Sequence, residues 1–200
     1  MTKRKVFTTK KGVAFYPHLR KPEVFEGTDV GYTCKLMLTP SETEELKALL
    51  ESELEVAKKL PEFSGKKWTK PTMGMSEDKD GNVIFKFKKT SQFKTKTGEV
   101  IHTTVPIFDA SGKAVPETVD PSNGSIVRVG FSIYPFYKSS AVHGLSLRLE
   151  AVQVLELKEY GVQTADSYGF GAEEGYTAKD DDEIPFDGDE KENADESADF

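Results

Sequence analysis

Apolar residues recur at every second position in several stretches of the chain and at helical spacing in one, and these two periods predict its elements. Over residues 31–38, Tyr32, Cys34, Leu36 and Leu38 share one parity and Lys35 holds the other, the pattern of a half-buried strand. Residues 83–89 repeat it, with Phe85 and Phe87 directed to a core and Lys86 and Lys88 outward. Val127, Val129, Phe131 and Ile133 line a further strand whose reverse carries Arg128 and Tyr134. In the last long strand Leu145, Leu147, Leu149, Ala151, Leu155 and Leu157 share a parity. Its reverse changes from Ser146, Arg148 and Glu150 to Val152 and Val154, so both faces of its second half are expected to be covered. A turn at Lys96-Thr97-Gly98-Glu99 leads into another expected strand over residues 100–108.

The helical period falls early. Ser41 reads as an N-cap with Glu44 completing a capping box, and Leu46, Leu49, Leu50, Leu54 and Ala57 follow on one face until Leu60-Pro61, giving a helix over about 41–59. Residues 1–25 are basic, with interleaved aromatics, and Pro17 and Pro22 discourage helix, so they read as an arm or edge strand. Residues 63–80 read as a long loop around Trp68. Strands outnumber crossover helices, which predicts a mainly β protein: a five-stranded OB-fold-like barrel with one inserted amphipathic helix. The pattern ends at Gly161. The expected organisation is therefore a domain over 1–160 and an acidic, disordered tail over 161–200.

Charge sharpens that division. The 200-residue chain carries a net −7, but residues 172–200 hold 13 acids and two lysines, a net −11 that leaves the rest at +4. A basic body on an acidic tail points to a polyanionic partner for the body and an interaction role for the tail. No apolar run is long enough to span a bilayer, and residues 1–11 lack the apolar core of a signal peptide, so neither membrane insertion nor export is expected. Cys34 is the single cysteine, which rules out an intramolecular disulfide and a thiolate metal cluster. His18, His102 and His143 lie far apart, and no phosphate loop or nucleophile elbow is present. An enzyme is therefore not expected, nor is a cofactor or metal.

A single strand of nucleic acid presents phosphates in a line and bases with free faces, so a general binder needs cations and aromatic rings together. Five lysines fall within the eleven positions 86–96, uninterrupted by acid. Tyr134-Pro135-Phe136-Tyr137-Lys138 places three aromatics at a strand end, and Trp68 stands among Lys66, Lys67 and Lys70. Lys86 and Lys88 read equally well as phosphate contacts or as solvated charge. Single-stranded DNA is the expected ligand; a β-barrel adaptor or chaperone with an acidic tail is the alternative. The candidate contacts are Lys3, Arg4, Lys5, Lys21, Lys35, Trp68, Lys86, Lys88, Lys94, Lys96, Arg128, Tyr134, Phe136, Tyr137 and Lys138.

The Phe-Lys-Phe-Lys run at 85–88, Pro135-Phe136-Tyr137-Lys138 with Ala141-Val142, Leu149-Glu150, Lys21-Pro22 and the terminal Ala198-Asp199-Phe200 together resemble the single-stranded DNA-binding proteins of short-tailed bacteriophages. The resemblance implies an OB-fold that coats single strands in phage replication, recombination and repair, in the cytoplasm of an infected bacterium. It also implies a tail that engages the replicative DNA polymerase and the helicase-primase, and a homodimer is a further expectation. By the same resemblance Lys3, Lys21 and either Phe136 or Tyr137 contact DNA. Asp180-Asp181-Asp182-Glu183-Ile184-Pro185-Phe186 is similar to the partner-recruiting tip of bacterial single-strand binders, except that fourteen residues follow it. Asp199 and Phe200 are thus the expected anchor, and Ile184 and Phe186 a second contact.

Overall fold

The structure is a computed structural model that describes residues 5–158. Its strands are β1 (Val6–Thr8), β2 (Gly12–Phe25), β3 (Thr28–Met37), β4 (Met75–Glu77), β5 (Val83–Lys89), β6 (Gln92–Lys94), β7 (Val100–His102), β8 (Ile107–Phe108), β9 (Ile126–Tyr137) and β10 (His143–Glu156); the helix α1 (Pro40–Lys58) follows β3. β2 pairs antiparallel with β3 and β3 with β5; β5 runs parallel to β10, β10 is antiparallel to β9, and β9 returns to β2. That circuit closes a five-stranded barrel, as the strand count predicts. β1 extends the sheet at β9, β8 pairs with β10 and β4 with β5, while β6 and β7 form a separate hairpin.

Alternation explains the interior. Tyr32, Cys34, Leu36, Phe85, Phe87, Val127, Val129, Phe131, Leu145, Leu147 and Leu149 are all buried, and the Phe87 and Phe131 rings meet at 5.2 Å between centroids. Each such side chain contributes roughly 1.5–3 kcal/mol through the water it leaves. Leu46, Leu50, Leu54 and Ala57 of α1 join the same cluster, so the helix closes the barrel with the stripe its periodicity predicts.

Several local expectations change. Most of residues 1–25 is barrel wall rather than arm, because β2 begins at Gly12. Its prolines are accommodated where pairing with β3 is irregular: the register breaks between Phe15 and His18, which brackets Pro17, and between His18 and Glu23, which brackets Pro22. A strand position without a ladder partner loses nothing when its N–H is missing. The helix is capped by Thr39, not Ser41. Pro40 occupies the first turn, where its missing donor is harmless, and the Thr39 hydroxyl accepts from the Glu42 N–H while Glu42 accepts from the Thr39 N–H. The expected strand over 100–108 survives only as β7 and β8. In β10 a register shift between Leu149 and Ala151 inverts the alternation, so Val152 and Val154 are buried while Leu155 is half-buried and Leu157 exposed. One extra residue at a bulge turns every following side chain to the other face.

Gly144 begins the site's framework. Its φ is +147°, and a Cβ there would run into the Thr72 carbonyl. With no side chain in the way, the Thr72 N–H donates to the His143 carbonyl at 3.0 Å and the Leu145 N–H to Thr72 at 2.8 Å. These bonds fasten the segment carrying Trp68 to the start of β10.

Candidate nucleic-acid interface

The outward parity of β3, β5 and β10 collects positive charge. Lys35 stands opposite Lys86, and one step along the barrel Thr33, Lys88 and Arg148 are successive partners across the three strands. None of these four cations belongs to an ion pair among the described residues, whose pairs are Lys5–Glu53, Lys47–Glu44 and Lys58–Glu55. Lys86 is held below the ordinary lysine pKa by partial burial and by Lys88 and Lys35, against the attraction of Glu23. Glu23, on β2, is one acid beside this face; Glu150, on β10, is another and accepts from the Ser132 hydroxyl at 2.6 Å. Burial raises the pKa of Glu23, but the Thr33 hydroxyl and the charges of Lys86, His18 and Lys35 outweigh that and hold it low. Glu23 therefore stays ionised and supplies one negative charge to a face with four positive ones.

Aromatic rings flank the cations. Tyr134, across from Ser146 on the outward parity of β9, is exposed, and the Arg148 guanidinium lies 4.1 Å from its ring centre. Phe136 shares that parity and is half-buried. Tyr137 takes the other parity. Its ring stacks on buried His143 at 5.2 Å and meets Trp68 edge-on at 5.6 Å, and its hydroxyl donates to the Lys67 carbonyl. Trp68 also abuts Phe63 and His143, and Lys66 lies over the Phe63 and Tyr137 rings. Alternation on a strand thus separates Tyr134 and Phe136 from Tyr137, a distinction that aromatic composition leaves open.

The remaining candidates are dispersed. Lys5 is paired with Glu53 of α1 and lies over the Phe7 ring. Lys21 is exposed at a cleft with Arg20 and Tyr32. Lys94 and Lys96 belong to the β6–β7 hairpin and its turn, and Lys138 begins the turn that connects β9 to β10. Arg128 sits six residues from Tyr134 on β9, about 20 Å along an extended strand, and its Nε donates to the Thr9 carbonyl. Lys3, Arg4, Ile184, Phe186, Asp199 and Phe200, and the expected boundary at 160/161, lie outside the described residues.

Phe93 falls within the lysine-rich cluster that the sequence offers to a single strand, but neither it nor Arg148 is among the candidate contacts. Arg148 was visible as the cation on the reverse face of β10, but the parallel pairing that sets it beside Lys88 joins residues sixty apart. Phe93 is half exposed and lines, with Lys88, Lys89 and Arg148, a groove of about 570 Å³.

Comparison with known proteins bears on this geometry. A family model described as "Single-stranded DNA-binding protein, Bacteriophage T7" matches residues 34–157. The single-stranded DNA-binding protein of Escherichia phage T7 is 33% identical over 150 residues, 68% of this chain and 65% of that one. That of Enterobacteria phage T3 is 33% identical over 109 residues, 53% and 47%. The chain thus spans less than two thirds of either relative's length. The crystal structure of the bacteriophage T7 protein superposes with a TM-score of 0.59 at 25% identity, over 88% of this chain and all of that one. The single-stranded DNA-binding protein of bacteriophage Enc34 in complex with single-stranded DNA gives 0.57 at 14% identity over 78% and 89%, a likeness of fold alone. Since the family match runs from the middle of β3 to just past β10 and takes in the strands that carry Lys35, Lys86, Lys88, Arg148 and Tyr134, the chain belongs to the bacteriophage T7 family of single-stranded DNA-binding proteins.

Proposed function

We propose that this protein is a non-enzymatic binder of single-stranded DNA that coats the strand during phage DNA replication, recombination and repair. The observation that carries the reading is the cluster Lys35, Lys86, Lys88 and Arg148 across three adjacent strands, unneutralised by ion pairs among the described residues and flanked by Tyr134. In five-stranded barrels of this kind the face of the second and third strands, with the loops joining strands one to two and four to five, takes oligonucleotides. Here those strands are β3 and β5, and the second of those loops joins β9 to β10 beside Phe136 and Lys138. Phosphates lie along the cations, and bases unstacked from a partner strand rest on Tyr134 and Phe136. Duplex DNA buries its base faces and offers these rings nothing. Lys21, Lys94 and Lys96 extend the positive field beyond the central cluster.

Titration with oligo-dT tests the reading. Tyrosine and Trp68 emission is expected to be quenched by the single strand and not comparably by duplex; no response to either would favour a protein-binding adaptor. The net −11 of residues 172–200 suits a tail that competes with DNA for the basic face, so a chain ending at residue 171 is expected to bind DNA more tightly at low salt. Unchanged or weaker binding would refute the competition. Ile184, Phe186, Asp199 and Phe200 are the tail residues suited to engaging the replicative DNA polymerase and the helicase-primase. Self-association to a homodimer and action in the cytoplasm of the infected host complete the reading. Among the described residues no helix is long and apolar enough to cross a membrane.

A further inference from the structure

β5 and β10 are neighbours for only two residue pairs, Phe87 with Leu147 and Lys88 with Arg148. Beyond Lys88 the strands part. The gap forms the groove of about 570 Å³ walled by Val30, Lys88, Lys89, Ser146 and Arg148, with Phe93 of the β6–β7 hairpin beside it. Glu150 also lines the groove, its carboxylate already accepting from the Ser132 hydroxyl at 2.6 Å. Three cations against that one engaged acid favour an anionic occupant.

The hairpin is anchored at its root. Ser91 donates to Asp29, the Thr103 N–H donates to the Ser91 carbonyl at 2.7 Å, and the Tyr32 hydroxyl donates to the Thr103 carbonyl at 2.8 Å. Past that root, among the described residues, β6 and β7 pair only with each other, and Phe93, Val100 and Ile101 are exposed on them. An exposed ring on a tethered hairpin has no core to serve. Phe93 stands opposite Ile101, so the two share one face of the hairpin, and of the two it is Phe93 that lines the groove.

We propose that this groove is a nucleotide subsite, in which one base of the single strand stacks on Phe93 while an adjoining phosphate lies between Lys88 and Arg148, the hairpin serving as its flap. Arg148 suits this role because Tyr134 already fixes its guanidinium by a cation–π contact, so little side-chain freedom is lost when phosphate arrives. The inference rests on the single-strand reading above and assigns it a place that the Lys35–Lys86 row alone does not.

The test uses the full chain with Phe93→Ala and Phe93→Trp, titrated with fluorescently labelled oligo-dT and with the same oligonucleotide carrying abasic sites. Phe93 is half exposed, so both variants are expected to melt with the wild type, which circular dichroism checks. Phe93→Ala is expected to bind oligo-dT about tenfold more weakly, as the loss of one stacked base implies, with the salt dependence of binding unchanged because the ring touches no phosphate. On the abasic strand the difference should vanish. Phe93→Trp should bind like the wild type and add tryptophan emission to that of Trp68, with a larger total quench by oligo-dT than the wild type shows. If the wild type binds and Phe93→Ala matches it within twofold, or the difference persists on abasic DNA, the subsite is wrong while single-strand binding stands. Failure of the wild type to bind would sink both.

Discussion

Removing the charge of Lys86 separates a functional cation from a structural one, because the two roles change opposite quantities. Lys86 faces Lys35 across the β3–β5 ladder and lies two residues from Lys88 on the same side of β5. Its lowered pKa, set first by partial burial and then by Lys88, shows that the folded protein disfavours its charge even with Glu23 nearby. Like charges directly opposite on a sheet cost about 0.2–1 kcal/mol. Lys86→Gln should relieve part of this and raise the melting temperature by about 1–3 °C for a domain of this size. DNA binding should move the other way. One phosphate contact on a single strand carries about 0.7 in the slope of log K against log salt, so between about 1 M and 50 mM the variant should fall roughly eightfold behind, with little difference at the high-salt end. Fluorescence titration over that range, paired with thermal melts, reads both effects. The pH dependence has a definite sign. Approaching the ordinary lysine value of 10.5 from below, the folded wild type sheds this proton before the unfolded chain does. Its stability relative to the variant therefore rises through that window, and the variant's advantage shrinks. A parallel salt slope, or a melting temperature several degrees lower, would show that Lys86 supports the barrel rather than the ligand.

Three further outcomes follow from the packing. Cys34 is fully buried and desolvation pushes its thiol up to about 12, so a disulfide reagent at neutral pH should label it only on unfolding; rapid stoichiometric labelling of the native protein would contradict the placement of β3. Gly144→Ala combines a positive φ with a collision at the Thr72 carbonyl and should cost at least about 3 kcal/mol in denaturant melts; a cost below 1 kcal/mol would mean the Trp68 segment is not seated on β10. Phe136→Ala and Tyr137→Ala should divide by strand parity: the first is expected to weaken oligo-dT binding about tenfold with little change in stability, the second to lower stability by about 1–3 kcal/mol through the His143–Trp68 cluster. The reverse division would overturn the assignment of faces.

The alternation of apolar and polar residues was enough to set the interior. Cys34, Leu36, Phe85, Phe87, Val129 and Phe131 are core because strand geometry puts every second side chain on one side, and no long-range information is needed to see it. The leucine stripe of α1 was equally legible, though its cap moved to Thr39 once Pro40 took the first turn. Composition likewise exposed a basic body joined to an acidic tail. Tertiary structure decided what a local period cannot carry. A bulge after Leu149 reversed the parity of β10, and irregular pairing let β2 absorb Pro17 and Pro22. Parity relative to a closed barrel, rather than aromatic content, put Tyr137 against His143 and left Tyr134 outside. Above all, the parallel register of β5 and β10 set Lys88 beside Arg148 and opened the groove next to Phe93. Charge and shape at that face come from strands distant in sequence, so the chain alone names the cations but not the surface they form.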